Sequence, residues 1–331
     1  MKKITLKHIA EKMNVSAVAV HKALNNQKGV SEELRKKIKA YAASVGYGVK
    51  SPKQVMNNKR FIFVINKDFF LTPSEQYYSN IFYYLSGELS KVNSMLQVVF
   101  VTEVNPVDSL KSALNGLKPD GIFFAGELNN DVFRYMENIN IPSLFIDYYT
   151  PLYALNFMYN NNYQTAYKLT NYLIEKGHRK IGFIGNIQKT AAISDRYFGY
   201  LKAITENEFR FDPKWHINEN IELSQVLFDL PLNDMPTVFV CHCDAAAQKL
   251  YSMLSFNGLK IPEDVSVVSF DNTQLCDNLL PKLTSIGPAR DSFAKKAYSA
   301  MIDIMNKKRV THQISVILAE RDSVKTIVRQ S

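Results

Sequence analysis

Eight short apolar runs, separated by stretches of helical period, govern what this chain can fold into. They fall at residues 61–65, 96–101, 121–125, 143–146, 180–184, 237–241, 265–270 and 315–318. Between them, residues 76–92, 107–115, 163–175, 196–206, 245–256 and 292–306 carry apolar positions at helical spacing. Strands this continuously apolar have no solvent face. They predict parallel sheets buried on both sides by crossover helices, an α/β architecture. Eight or more strands over some 270 residues predict two such sheets. In folds of this kind ligands bind outside the carboxyl ends of the strands.

The first 60 residues follow a different pattern. Leu6, Ile9, Ala10 and Met13 mark one short helix, and a break at Asn14-Val15 precedes a second helix capped by Ser16. That second helix turns Val20, Ala23 and Leu24 to one side. Val18, His21, Lys22 and Asn25 fall on the other. Ser31 opens a third helix, from Glu32 to Ser44, with an inward stripe of Leu34, Ile38, Tyr41, Ala42 and Val45 and a stop at Gly46. Two short helices across a tight break make a helix-turn-helix whose second helix suits a DNA major groove. A small three-helix bundle with a solvated charged face is the alternative.

Charge favours the first reading. Residues 1–60 hold fourteen Lys/Arg against Glu11, Glu32 and Glu33, a balance of +11. The whole chain of 331 residues is +9, so the remainder carries −2. A basic head on a near-neutral body points to a polyanion partner for the head alone. Residues 48–60 form a basic connector, in which Ser51-Pro52 resembles a helix start. It is a plain linker or a segment that orders on a partner. The start of the sequence lacks the apolar core of a signal peptide, and no apolar run is long enough for a membrane span. The three cysteines, Cys241, Cys243 and Cys276, have no framework spacing. The expectation is a cytoplasmic protein with no membrane partner and no cofactor.

The sequence resembles the lactose-repressor (LacI-type) family of transcriptional regulators over essentially its full length. The head matches through ITLKHIA (4–10), Val15-Ser16, Val20, KALN (22–25), VSEE (30–33) and Gly46-Tyr47. The body matches through IEKGHRKIGFIG (174–185), Arg196 with Gly199-Tyr200, GLKIPEDVSVVSFD (258–271), LTSI (283–286) and Arg321-Asp322-Ser323. The resemblance implies three parts. Residues 1–47 are a helix-turn-helix DNA-binding domain and 48–60 a hinge. Residues 61–331 are a periplasmic-binding-protein-like core for effector binding and dimerisation. Within the core, subdomain one spans about 61–160 plus 290–318, and subdomain two about 161–289 plus 319–331. The implied function is repression of carbohydrate-use genes, with operator affinity altered by a small molecule, a sugar, bound between the subdomains. The sequence ends soon after Arg321-Asp322-Ser323, without a tetramerising heptad helix, so a homodimer on a two-fold-related operator is expected.

On this resemblance the DNA-binding residues are Thr5, Ser16, Ala17, Val18, His21, Lys22 and Asn25, with Val55 and Met56 from the hinge. Ala17 and Val18 suit a thymine methyl. Lys22 stands where the family has arginine and lacks its planar fork. His21 either meets a phosphate or stays solvated. Lys2, Lys3, Lys7 and Lys28 serve as phosphate partners. The hinge run lacks the family's usual leucine. Either Met56 is the minor-groove wedge, or the segment is a flexible tether.

Effector-binding positions map to Phe69, Phe70, Tyr78, Asp147, Arg196, His242, Asp244 and Asp271. Aromatics suit sugar C–H faces, while carboxylates and a guanidinium suit hydroxyls. Strand alternation through residues 241–244 sends His242 away from both neighbouring cysteines, which argues against a metal site. The chain contains no G-x-S-x-G, phosphate-binding loop, H-E-x-x-H or G-x-G-x-x-G motif, so no catalytic residue is assigned. A sugar-processing α/β enzyme and a sugar-binding receptor are the competing classes.

Overall fold

A computed structural model describes residues 4–24, 27–45, 55–71, 76–102, 104–218 and 230–328. The chain divides into two compact units, Met1–Val55 and Met56–Ser331.

The first unit contains three helices, α1 (Leu6–Met13), α2 (Ala17–Leu24) and α3 (Glu32–Ser44). Thr5 Oγ1 caps α1 by accepting from His8 N at 3.3 Å. Asn14 then turns left-handed at φ 51°, a conformation asparagine tolerates, and makes the tight break. Ser16 Oγ accepts from Ala19 N at 3.1 Å and starts α2. The core is Ile9, Ala10, Val20, Ala23, Ile38 and Ala42, with Leu6, Met13, Leu34 and Tyr41 at its rim. The sequence missed Arg35. This buried side chain donates to the carbonyls of Lys22 (3.4 Å), Gln27 (3.0 Å) and Val30 (3.4 Å), and pairs with Glu32 at 3.0 Å. It thereby ties the end of α2 to α3. The expected stop at Gly46 and the start at Ser51-Pro52 lie outside the described residues.

The second unit holds two six-stranded sheets. The first is built from β1 (Arg60–Asn66), β2 (Met95–Val101), β3 (Gly121–Ala125), β4 (Ser143–Ile146), β5 (Phe157–Tyr159) and, much later in the chain, residues Thr311–Gln313. These strands pair in parallel. Helices α4 (Asp68–Leu71), α5 (Tyr77–Ser90), α6 (Pro106–Leu117) and α7 (Asn130–Glu137) lie between them in the chain. The second sheet contains β6 (Ile181–Ile184), β7 (His216–Ile217), β8 (Val238–Cys241), β9 (Ser266–Phe270), β10 (Thr284–Gly287) and an antiparallel edge at Ile317–Ala319. Its helices are α8 (Asn162–Glu175), α9 (Ala191–Glu206), α10 (Asp244–Phe256) and α11 (Leu275–Asn278). Helix α12 (Ser292–Met305) returns to pack on α5. The edge strands after it are β11 (Thr311–Gln313) and β12 (Ile317–Ala319), one in each sheet. The chain therefore crosses between the sheets three times, near residues 160, 290 and 315.

Expectation and structure differ in informative places. Strands β5, β7 and β10 are four residues or fewer and give no periodic signal. The run expected at 315–318 is a short edge strand at Ile317–Ala319, and a further strand at Thr311–Gln313, which the sequence did not signal, pairs with the other sheet. Helix α9 starts at Ala191, not at 196, because Thr190 caps it by accepting from Ile193 N. The Gly199-Tyr200 signature has a packing cause. A Cβ at Gly199 would sit 2.1 Å from the Tyr163 carbonyl oxygen, so only glycine lets α8 and α9 approach this closely. Tyr200 is buried and donates to the Ile181 carbonyl at 2.7 Å. The Arg321-Asp322-Ser323 signature knits the tail to the second sheet. Arg321 pairs with Asp277 at 3.0 Å, and Ser323 Oγ donates to Val267 O at 2.6 Å.

Candidate ligand cleft and nucleic-acid interface

Two aspartates stand at corresponding strand ends, one on each sheet. Asp147 follows β4 at φ 62° and Asp271 follows β9 at φ 96°. Non-glycine residues hold such backbones only where their surroundings over-determine them, a condition that clusters at functional sites. Here Asp147 N donates to Met158 O at 2.7 Å and Asp271 N to Ile286 O at 3.0 Å, which fixes both turns.

Between these ends lies a cavity of about 390 Å³. Residues from both sheets and from the 160–162 crossover line it. Its aromatic walls are Phe69, Tyr77, Tyr78, Tyr148, Tyr149 and Tyr159. Tyr149 and Tyr159 stack at 4.6 Å between centroids.

Asp147 accepts from Tyr78 OH at 2.9 Å, Asn160 Nδ2 at 2.9 Å and Tyr77 OH at 3.4 Å. Burial raises its carboxyl above the usual range, although the Arg196 guanidinium pulls it down. The phenols of Tyr77 and Tyr78 are pushed well up, first by burial and then by Asp147, so both remain neutral donors. Across the cleft, Arg196 is buried. Nε donates to Asn162 Oδ1 at 2.9 Å, Nη2 to Asp271 Oδ1 at 3.0 Å and Nη1 to the His242 carbonyl. Its Cζ lies 4.6 Å from the Phe270 ring centroid. Burial alone would lower the guanidinium's pKa, but Asp271 and Asp147 raise it, so it stays charged. Burial also pushes the Asp271 carboxyl up, against the pull of Arg196.

Of the eight sequence-expected effector positions, seven line this cavity: Phe69, Tyr78, Asp147, Arg196, His242, Asp244 and Asp271. Phe70 does not. Its neighbour on α4 takes the cavity side, and the Phe70 ring packs with Phe63, Phe82 and Phe100 at 5.7–6.4 Å. Asp244 reaches the lining as a residue, but its carboxylate faces inward. It accepts from Ser269 Oγ, Ser285 Oγ (2.8 Å), Thr273 N (2.7 Å) and Thr273 Oγ1 (2.8 Å). Four internal donors leave it a framework role. The alternation argument at residues 241–244 also needs correction. The strand ends at Cys241, so His242 and Cys243 both line the cavity, with Cys243 Sγ 3.7 Å from His242 Nε2. Cys243 caps α10 by accepting from Ala246 N, while Cys241 is core. Among the described residues no group of three His, Cys, Asp or Glu is placed to hold a metal ion. Sequence spacing did not single out Tyr77, Glu127, Asn160, Asn162 or Asp195, which also line the cavity.

In the head, Thr5, Ser16, Ala17, Val18 and His21 are exposed, and Lys22 is half-buried. Val18 is 62% exposed, so an apolar side chain stands in water on the outer face of α2. Asn25, Lys2 and Lys3 lie outside the described residues, and Lys7 and Lys28 are exposed. The expectation for the hinge fares differently. Val55 and Met56 are buried, and Ser94 Oγ donates to the Met56 carbonyl. A wedge side chain has to be presented outward, and in this structure neither is. Among the described residues no helix is long and apolar enough to cross a membrane.

A family described as periplasmic binding protein-like domain matches residues 170–324. The HTH-type transcriptional repressor CytR of Escherichia coli K12 is 28% identical over 323 residues, covering 92% of this chain and 91% of that protein. The HTH-type transcriptional repressor PurR of Pectobacterium atrosepticum is 26% identical over 342 residues, covering 97% and 96%. In fold, the chain resembles the transcriptional regulator CelR in its cellobiose complex, with a TM-score of 0.68, 19% identity and coverage of 97% and 100%. It likewise resembles the lac repressor dimer bound to operator and the anti-inducer ONPF, with a TM-score of 0.66, 19% identity and coverage of 98% and 100%. These curated relatives are repressors, not enzymes. With a three-helix head, a two-sheet body and repressor relatives along more than nine-tenths of its length, the chain is similar throughout to HTH-type transcriptional repressors and shares the fold of the lac repressor.

Proposed function

We propose that this regulator represses carbohydrate-use genes and that a sugar bound in the cleft between the two sheets alters its affinity for a two-fold-related operator. The observation that carries the reading is the facing pair of strand-end sites. Asp147 with its two tyrosines stands on one sheet, and the Arg196–Asp271 pair stands on the other. A ring with hydroxyls on opposite edges satisfies both at once, and its closure energy then depends on the angle between the sheets. Aromatic walls cover the C–H faces of such a ring. A solved relative in fold holds cellobiose, which supports the class of ligand. In this reading the protein acts as a homodimer in the cytoplasm, each head taking one half-site.

Thermal shift with a panel of mono- and disaccharides tests the cleft, because a ligand specific to the native state raises its melting temperature. The same sugars are then added to the chain bound to duplexes selected from random DNA. A sugar that both stabilises the protein and changes operator affinity supports the reading. Sugars that stabilise without changing operator affinity, or turnover of a sugar, would overturn it.

A further inference from the structure

Each sheet with its helices forms a lobe, and two segments from opposite lobes meet at the wall of the cleft. One is the short turn 126–129 that joins β3 to α7, and the other is the start of α9. Each is fixed within its own lobe. Gly126 takes φ 74°, and its N–H donates to Ile146 O at 3.0 Å. A Cβ there would lie 3.1 Å from the Tyr78 hydroxyl, so glycine lets the turn pass close to the tyrosine that holds Asp147. At the far end of the turn, Asn129 Oδ1 accepts from Asp131 N at 2.9 Å and caps α7. On the other lobe, Thr190 Oγ1 caps α9 through Ile193 N, and Gly199 allows α9 its close approach to α8.

A hydrogen bond joins these two segments. Glu127 Oε2 accepts from Ala191 N at 2.7 Å, across 64 positions of sequence. Ala191 is the first residue of α9, so its N–H has no partner inside the helix. A carboxylate on such a group forms a charge-assisted bond and lies at the favourable end of the helix dipole. Glu127 is half-buried, which limits competition from water. The bond lies away from the three crossings near residues 160, 290 and 315, which connect the lobes but leave the angle between them to other contacts.

We propose that Glu127 is a closure latch, fastening the two lobes to each other through the α9 terminus in the effector-free chain. The cleft is then held closed before a ligand arrives. An effector entering it has to part the latch, but it does not have to supply the whole cost of bringing the lobes together, because the closed arrangement is already populated. The DNA affinity shown without effector is accordingly that of a single arrangement and not an average over open and closed forms. The latch is independent of the chemical class of the effector, so its test stands apart from the sugar panel.

The donor and the acceptor can be removed separately. Glu127→Ala deletes the acceptor. Ala191→Pro deletes the donor at the first helical position, where proline is well tolerated, and Thr190 already has the extended backbone (φ −146°, ψ 154°) that a following proline requires. The effector-free full chain carries spin labels on non-cysteine side chains at Asn130 on α7 and Ser255 on α10, both exposed. Dipolar spectroscopy reads the distance between the lobes. The native chain should give one narrow distribution. Glu127→Ala and Ala191→Pro should each add a second population, and the double variant should add no more than either alone, because all three lack the same bond. Glu127→Gln keeps an acceptor and should fall between the native chain and Glu127→Ala. A broad distribution in the native chain, coincident distributions in all variants, or an effect of Glu127→Ala that Ala191→Pro does not reproduce would overturn the latch.

Discussion

Two buried arginines hold the two units of this protein, and they do so with different partners. Arg35 in the head is bound by three backbone carbonyls and by Glu32. The carbonyls are neutral and fixed, and the one charged partner, Glu32, is a neighbour on the same helix, so Arg35 closes a loop and lines no part of the cleft. Arg196 in the body is bound by an amide oxygen, a carbonyl and the carboxylate of Asp271, which sits on a strained backbone at the rim of a cavity. The second arrangement pairs two charges that a ligand can also reach. The contrast teaches that burial of an arginine does not mark a site by itself. What marks it is whether the partner is a group that a ligand can compete for.

The largest expected effect that breaks this comparison comes from Arg196→Ala. It strands Asp271 as a buried, unpaired carboxylate and should destabilise the body by about 3–5 kcal/mol. Effector response should vanish. Head-dependent binding to DNA should persist at a temperature where the body is still folded. The double variant Arg196→Met with Asp271→Asn should recover most of the melting temperature without recovering the response. Recovery of both would make the pair purely structural.

A third buried base extends the comparison. His178 is fully buried, with Nδ1 2.9 Å from Thr237 Oγ1 and Nε2 3.1 Å from the Lys325 carbonyl. Among the described residues it has no carboxylate partner, and burial pushes it down to about 4. The folded state thus binds its proton less readily than the unfolded state. Its contribution to stability is present above pH 6.5 and is lost as pH falls from there towards 4, by about 3 kcal/mol at most. Denaturant melts of the native chain and of His178→Gln across that window should differ in slope, the variant being flatter. Parallel slopes would remove His178 as the cause.

Arg35→Ala should cost the head about 1.5–3 kcal/mol, the range for hydrogen bonds to a charged donor. Operator binding should fall with it, while ligand binding in the cleft is unchanged. Smallest of all in free energy, Lys22→Ala should weaken operator binding about tenfold, near 1.4 kcal/mol, with fold and cleft intact. An unchanged operator affinity would count against docking through α2.

Much of this contrast was legible in the sequence, and the reasons are local. The head reads correctly because its signals lie within one or two helical turns: Ser16 before α2, glutamates opening α3, and apolar residues at helical spacing. Arg35 escapes because three of its four partners are carbonyls, which leave no residue signature, and its i,i+3 pair with Glu32 looks like any surface pair. In the body, Asp147, Arg196 and Asp271 are recoverable by resemblance, but the Arg196–Asp271 bond spans 75 positions and no spacing rule reaches it. Phe69 and Phe70 are adjacent and alike in the sequence. Only the turn of α4 decides that one meets the cavity and the other the core. His242 and Cys243 share the cavity because β8 ends at Cys241 and strand alternation stops applying there, while Asp244, mapped by resemblance, turns its carboxylate onto serine and threonine donors that lie far off in the sequence.

The three crossings between the sheets carry a consequence for how this molecule is made. The first sheet receives its last edge strand, Thr311–Gln313, only after the second sheet's central strands have been synthesised. Neither half can be excised as a contiguous fragment, since cutting after residue 160 deprives one half of α12 and β11, and the other half would have to carry both as an unpaired tail. Expression of residues 56–160 alone would leave the outer edge of Phe157–Tyr159 open to other chains. The first sheet's edge is therefore completed by the part of the chain that is synthesised last.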